Sequence, residues 1–575
     1  MPSPRPVRRP PPAPPPAPLP RWFRPALLAL CALSLLGLFS SPIYDSDFWW
    51  HLRTGQYIVE KHALPVPDPF SFTTSMRGAA YPGEEITRRF NLTHEWLAQA
   101  CYYLVYRAAG FPGIVLFRAG LLALFCGLVG LVAWRRCGGF WRAVAAAFAA
   151  AAAAAPVAYD RPYLFTFVFL AATVAILEFR RFLWLLPPLF LVWANCHGGF
   201  FLGWIVLAAY SAEALLARRR KQRDPHERTL WLLGAAAILV SGCNPNGFRV
   251  VEVLSYYRGS FLTSRLLEWS APKLWPPGVF SALLAGGAAA LLFARGRARR
   301  VDFLLFAAFA AAGLSAQRNV FLMGLIAPLA MVSYFPWKRA LRPPWEFALA
   351  GVAVGGIVLA LARGGSFQLR PAEWKYPASA ADFLLAHGIG GPIFNTYEYG
   401  GYLIWRLWPR ERVFIDGRAL NESVFLDYAR ILYNRDGSDG KSAQELLDEY
   451  GVRTIVMNGF EYSGGLQYQL APALAGSAAW KLVYADAQAV VFVRRPPPGV
   501  QVLDSRQAFD ALDASCALHI EHEPQYPRCA RALGQLYGKR GELVRARRWI
   551  AVYLEHFHGP DPEARDAYRR LLGMP

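Results

Sequence analysis

Residues 44–53 read Tyr44-Asp45-Ser46-Asp47-Phe48-Trp49-Trp50-His51-Leu52-Arg53. The stretch follows the first long apolar run, Phe23 to Ser40, and so lies just past the end of a membrane helix. It gathers two carboxylates, an imidazole, a guanidinium and two indoles. Membrane interfaces favour tryptophan, but they do not call for two acids one residue apart. Two readings stand side by side here: an aromatic belt with solvated charges, or an active-site loop at the membrane surface.

The composition around this stretch narrows the class. Of the 575 residues, 55% are hydrophobic, which fits a chain with many spans better than a soluble one. The formal net charge is +21. In a soluble chain that would suggest nucleic acid. Here the basic residues cluster between apolar runs, as the positive-inside rule requires, which argues against nucleic-acid binding. The eight cysteines include no CxxC pair and no metal-ligand spacing.

Residues 1–22 are rich in proline and arginine and cannot bury a core, so a disordered cytoplasmic tail is expected. Apolar runs follow at 23–40, 111–134, 143–159, 163–179, 182–195, 199–217, 229–243, 277–294, 303–316, 319–335 and 346–362. They predict an α-helical polytopic domain over 23–362 with about eleven spans, several of them shorter than the roughly 20 residues a span needs. Every second connection is basic: Arg135 and Arg136, Arg180 and Arg181, Arg218 to Arg223, Arg295 to Arg300, Lys338 to Arg342. Those loops are expected in the cytoplasm with the N-terminus. The large loop 41–110 and everything after residue 363 then face the other side.

The non-cytoplasmic connections hold nearly all the unusual polar residues. Besides Asp45, Asp47, His51 and Arg53 they carry His94 and Glu95, Asp160 and Arg161, Asn195 and His197, Glu268 with Trp269, and Arg318 with Asn319. Any one alone reads as a cap or turn. Together on one side they mark a candidate site, because ionisable groups at membrane depth are costly. Between 95 and 109 the helical spacing with mixed polarity predicts a helix lying in the interface.

After Arg363 the pattern changes. Residues 366–500 alternate helical and strand-like segments and predict an extracytoplasmic α/β domain with a mostly parallel sheet. Asp416 and Arg418 end a predicted strand, where a ligand site or a structural ion pair would both fit. Residues 501–575 predict helices, and Leu533, Gly534, Tyr537, Gly541 and Ala546 have the tetratricopeptide spacing. Cys516 and Cys529 could pair there.

One kind of chemistry suits acids beside interfacial aromatics with basic groups on neighbouring loops. An isoprenoid-phosphate-linked sugar keeps its lipid in the membrane and its phosphate and sugar at the surface. Transfer to a glycan, lipid or protein acceptor needs a base for the acceptor's proton. It also needs positive charge or a metal for the leaving phosphate. Asp45 or Asp47 would be the base, or a ligand for a divalent metal such as magnesium or manganese. His51, Arg53, Arg161 and Arg318 are candidates for the phosphate. His94, Glu95, Asp160, Asn195, His197, Glu268 and Asn319 complete the candidate substrate-binding set. A non-catalytic scaffold docking partners through the tail, or a transporter of lipid-linked glycans, are the other classes considered. A transporter would place ionisable residues mid-helix, and Arg118 is the main one that is.

The blocks Asp45-Ser-Asp-Phe-Trp-Trp-His-Leu-Arg-Thr-Gly55, Pro65-Val-Pro-Asp-Pro-Phe-Ser-Phe-Thr73 and His94-Glu-Trp-Leu97 resemble the opening of a large bacterial family of polytopic membrane proteins. Trp193-Ala-Asn-Cys-His-Gly-Gly-Phe200, Asn244-Pro-Asn-Gly247, Glu268-Trp269 and Arg318-Asn319 are similar to its later blocks, in order. That family is placed near the GT-C membrane glycosyltransferases, the class of the mannosyl-, arabinosyl- and oligosaccharyl-transferases. The resemblance implies a lipid-phosphate sugar donor, an acidic motif in the first outer loop matched by Asp45 and Asp47, and residence in a bacterial inner membrane. The aromatic-His continuation and the unusual tail depart from the better-understood branches.

Overall fold

The computed structural model describes residues 20–573 except 220–224, 258–260, 262–266, 295, 337–342, 363, 438 and 462–465. Most of the tail assigned to 1–22 lies outside the described residues, as do Arg220, Lys221, Arg223, Arg295, Lys338, Arg339 and Arg342.

Up to residue 362 the described elements are helical, and the named strands begin at Ile393. Three helical stretches are long and apolar enough to cross a membrane: Glu84–Cys137, Phe140–Val157 and Gly198–Arg219. Phe23–Leu38, Tyr163–Phe179, Leu183–Cys196, Val279–Phe293 and Trp345–Leu359 are apolar but shorter. The described helices therefore establish fewer spans by length than the expected eleven. Single 3₁₀ turns at Ala155–Val157, Gly198–Phe200, Leu267–Trp269 and Gln317–Asn319 interrupt the chain at the loops expected to face outward.

The longest helix, Trp96–Cys137, is two helices joined at Gly110, whose φ of 62° and ψ of −157° leave the helical region. That backbone is open to glycine, and Pro112 follows at once. The break separates the interfacial helix expected up to 109 from the apolar run expected from 111. Beyond it, Leu122, Phe125, Val129, Phe167, Trp193 and Leu325 belong to one buried apolar core.

Arg118, the ionisable residue placed mid-helix, is held by partners inside the protein. Its side chain is 2% exposed and meets Asp160 at 2.5 Å. It also donates to the carbonyls of Phe39 and Ser41. Asp160 is thus the structural partner of Arg118.

The helix Asp47–Lys61 is not a solvated belt. Phe48, Trp49, Trp50, His51 and Leu52 are all buried. Trp49 meets Tyr376 and Tyr402 edge-on, with centroids 5.0 and 4.8 Å away. Parallel bridges join Ile43 to Pro371 and Ser71 to Val413. The first outer loop and the tail therefore share a core.

The tail sheet corrects the parallel expectation. Strands β1 (Ile393–Asn395), β2 (Thr454–Met457), β5 (Lys481–Ala485) and β6 (Val490–Val493) lie in the order β1-β2-β6-β5, and β3 (Phe460–Glu461) pairs with β4 (Leu466–Gln467) in a separate two-stranded sheet. Only β1 and β2 run parallel; β6 is antiparallel to both neighbours. The short β5–β6 connection permits only a hairpin. Val413 contributes isolated bridges instead of a strand. The chain ends in helices Ser505–His522, Arg528–Lys539, Leu543–His556 and Pro562–Leu572, and a disulfide joins Cys516 to Cys529.

The Arg118–Asp160 pair yields a stability test. Arg118→Ala strands a buried carboxylate and is expected to cost about 3–5 kcal/mol. Arg118→Ala/Asp160→Ala should recover part of that loss, because no charge is left unpaired. Thermal unfolding in detergent compares the two, and a double variant no more stable than the single would refute the pairing.

Candidate functional site

A cavity of about 690 Å³ opens among the interhelical loops and the tail. The first loop supplies Asp45, Asp47, His51, His94 and Glu95; later loops supply Arg161, His197, Glu268, Arg318 and Asn319; the tail supplies Lys375, Tyr397 and residues 417–420.

One side is built on Arg161. Its guanidinium holds both oxygens of Asp45, with Nη2 donating to Oδ1 at 2.9 Å. Its Nη1 lies 3.1 Å from Asp47 Oδ2 and 3.3 Å from Glu268 Oε2. Arg318 meets Glu268 at 3.7 Å and lies over the Trp269 ring. Asp45 also accepts the backbone N–H of Asp47, at the first residue of its helix. A carboxylate is favoured at that end by the helix dipole.

The two acids differ electrostatically. Burial raises the Asp45 pKa, but the Arg161 charge and hydrogen bonds outweigh it and hold the group below its ordinary value. Asp47 goes the other way, pushed up to about 7. Burial is the main cause; Arg161 opposes it, while the charges of Asp45 and Glu268 add to it. Three carboxylates share two guanidiniums, and Asp47 is the one left short. It packs against Gly417, where any side chain would collide with its carboxylate.

Arg161 bridges Asp45 and Asp47, and Asp45 has both oxygens engaged.

The other side is built on Glu95. Its carboxylate lies 3.3 Å from His94 Nε2, 3.7 Å from His197 Nε2 and 3.6 Å from His51 Nδ1. His94 Nδ1 is paired with the carbonyl of Phe90. His197 Nδ1 accepts from Gly199 N–H and is 2.8 Å from Thr166 Oγ1. Burial lowers the His51 pKa to about 4 and the His197 pKa to about 3, so both are neutral at pH 7.

Three expected site residues lie elsewhere. Arg53 donates to Gln56 and the Trp405 carbonyl and covers the rings of Trp405 and Trp408. Asp160 pairs with Arg118. Asn195 ties Trp96 to the carbonyls of Leu191 and Cys243. Asn319 reaches the cavity but donates its amide to the carbonyl of Ala312. Of the two readings of Asp416 and Arg418, the ion pair is present: Arg418 meets Asp416 at 2.6 Å and Asp68 at 2.9 Å. Arg418 also lines the cavity. Sequence reasoning missed Tyr397, whose hydroxyl donates to the Gly417 carbonyl, and Lys375. No local signal marks either.

Comparison with solved structures gives the fold a precedent. The oligosaccharyltransferase AglB of Archaeoglobus fulgidus, in complex with an inhibitory peptide and a dolichol-phosphate, matches with a TM-score of 0.53 and 11% identity. The match covers 84% of this chain and 76% of that one. The apo form of the Archaeoglobus fulgidus oligosaccharyltransferase matches at 0.51 and 10% identity, with the same coverage. The fold is shared with these oligosaccharyltransferases. No family model matches the sequence, and no curated protein matches it.

The protonation of Asp47 can be observed directly. About nine-tenths of a carboxyl with a pKa near 7 is protonated at about pH 6. An infrared difference spectrum between about pH 6 and 8 should show carboxylic C=O intensity that Asp47→Asn reduces, the remainder coming from other buried carboxyls such as Glu398, which burial also pushes up to about 7. A spectrum that Asp47→Asn leaves unchanged would contradict the assignment.

Proposed function

We propose that the protein is a membrane glycosyltransferase of the GT-C type. It would transfer a sugar from a polyprenyl-phosphate-linked donor to an acceptor on the non-cytoplasmic side. The observation that carries this reading is Asp47: an acid held near neutrality, facing a cavity beside Arg161 and Arg318. A general base works best with a pKa near the working pH. The shared fold adds support, since the archaeal neighbour is in complex with a dolichol-phosphate and a peptide.

The acceptor's hydroxyl or amine loses its proton to Asp47 as it attacks the anomeric carbon. The bond from that carbon to the phosphate oxygen breaks on the opposite face, so the configuration inverts. Arg318, with the part of Arg161 that faces the cavity, stabilises the released lipid phosphate. Asp45 positions Arg161 and is not the base, because its oxygens are already engaged. Glycan, lipid and protein acceptors all fit this chemistry. The Cys516–Cys529 disulfide suits an oxidising, non-cytoplasmic compartment for the tail.

The test is transfer from a panel of radiolabelled polyprenyl-phosphate and polyprenyl-diphosphate sugars by the purified protein. Asp47→Asn is expected to lower kcat by about 10²–10⁴-fold with the donor still bound. The base must be ionised, so kcat/KM should fall tenfold per pH unit below about 7, where Asp47 takes up its proton. An Asp47→Asn enzyme within tenfold of the parent would rule Asp47 out. Absence of transfer across the panel would favour the scaffold reading.

A further inference from the structure

The Glu95 side of the cavity has a feature that glycosyl transfer by Asp47 does not use. His94 Nδ1 faces the Phe90 carbonyl, which can only accept, so that nitrogen carries the proton. The Nε2 of His94 then faces Glu95 Oε1, 3.3 Å away. His51 Nδ1 is paired with Gln99 Nε2 at 3.2 Å and lies 3.6 Å from Glu95 Oε2. His94 and His197 each turn Nε2 toward the same oxygen of a buried carboxylate, and these are the donor types that hold a cation.

We propose that His94, Glu95 and His197 bind a divalent transition-metal ion. One ligand atom from each lies within 4.8 Å of the others. Ligand atoms about 2.1 Å from a tetrahedral metal lie about 3.4 Å apart. The observed separations of 3.3 and 3.7 Å from Glu95 bracket that value. Two imidazoles and one carboxylate select zinc, cobalt or manganese over magnesium or calcium, which prefer oxygen.

The surroundings support each ligand. The Phe90 carbonyl fixes the His94 tautomer, as outer partners of metal-bound histidines do. His197 must move its proton from Nε2 to Nδ1 on binding, and Thr166 Oγ1 at 2.8 Å is placed to accept it there. Glu95 precedes the helix Trp96–Cys137, which holds it rigidly. Three protein ligands leave an open position, and all three residues line the same cavity as Arg318. The ligand that would complete the site is an oxyanion, the phosphate of the donor. That last step rests on the glycosyltransferase reading; the metal site itself does not.

The experiment uses the full chain in detergent, without a polyhistidine tag, stripped with chelator and titrated with Co²⁺. One equivalent should bind with the visible bands of a four- or five-coordinate ion, and Zn²⁺ should displace it. Glu95→Gln and His197→Gln should each weaken binding at least tenfold, while Asp47→Asn leaves it unchanged. Size-exclusion profiles and apparent Tm identify a variant that has lost its fold; His94→Gln then provides an independent ligand loss. Equal Co²⁺ binding in parent and folded ligand variants would overturn the proposal, as would no stoichiometric binding. Metal binding without any glycosyl transfer would keep the site and remove the function proposed above.

Discussion

The cavity depends on a single guanidinium. Burying a carboxylate costs several kcal/mol, by order of magnitude, unless an opposite charge meets it with good geometry. Arg161 does this for Asp45 through two nitrogens and has Nη1 left for Asp47 and Glu268. A lysine, with one point charge, could not serve the three acids at once. The fork is itself anchored: Tyr102 donates to the Arg161 carbonyl, and Pro162 starts the helix Tyr163–Phe179 directly after it. The arrangement satisfies Asp45 fully and Asp47 only in part. The raised pKa of Asp47 is thus a consequence of how the other charges are neutralised.

The tail is a wall of this cavity. Gly417 lies against Asp47, and Tyr397 fixes the Gly417 carbonyl. Behind it, Arg418 bonds Asp416 from the tail and Asp68 from the first loop, and Ser71 donates to Asp416. Further out, Arg77 of the loop meets Asp427 and Glu449. Removing one member of a buried charge network leaves the others unpaired. The tail and the loop that carries Asp68 and Arg77 are therefore expected to move as one body.

Much of this was legible in sequence. Apolar runs and basic loops separated the helical part from the tail, and the clustering of polar residues in the outward loops named most of the cavity lining. The failures have specific causes. Asp160 and Asn195 belong to the same loops as true lining residues, and nothing local tells a residue facing the cavity from one facing its neighbours. Arg118 is the partner that withdraws Asp160, and it comes from a helix 42 residues earlier. The role of Arg161 was hidden for a similar reason: two acids one residue apart give no sign of the distant arginine that bridges them. The β-sheet misreading came from counting alternation as parallel topology when the last two strands were close enough to be a hairpin.

The opening decapeptide shows how one helix divides its chemistry between two tasks. From Asp47 onward it is helical, so residues four apart share a face. Asp47 and His51 are such a pair, and both line the cavity. Trp49 and Arg53 are the next pair, and both turn to the tail: Trp49 to Tyr402, Arg53 to Trp405 and Trp408. The charge on Arg53 thus serves a cation–π contact between loop and tail instead of a phosphate. His51 ends up near Glu95, on the imidazole side, while Asp47 stays on the arginine side. A single turn of helix therefore spans the two halves of the cavity, and their spacing is fixed by the rise of the helix itself, about 1.5 Å per residue. Any displacement of this helix would disturb both halves together, which accounts for the aromatic packing of its other face.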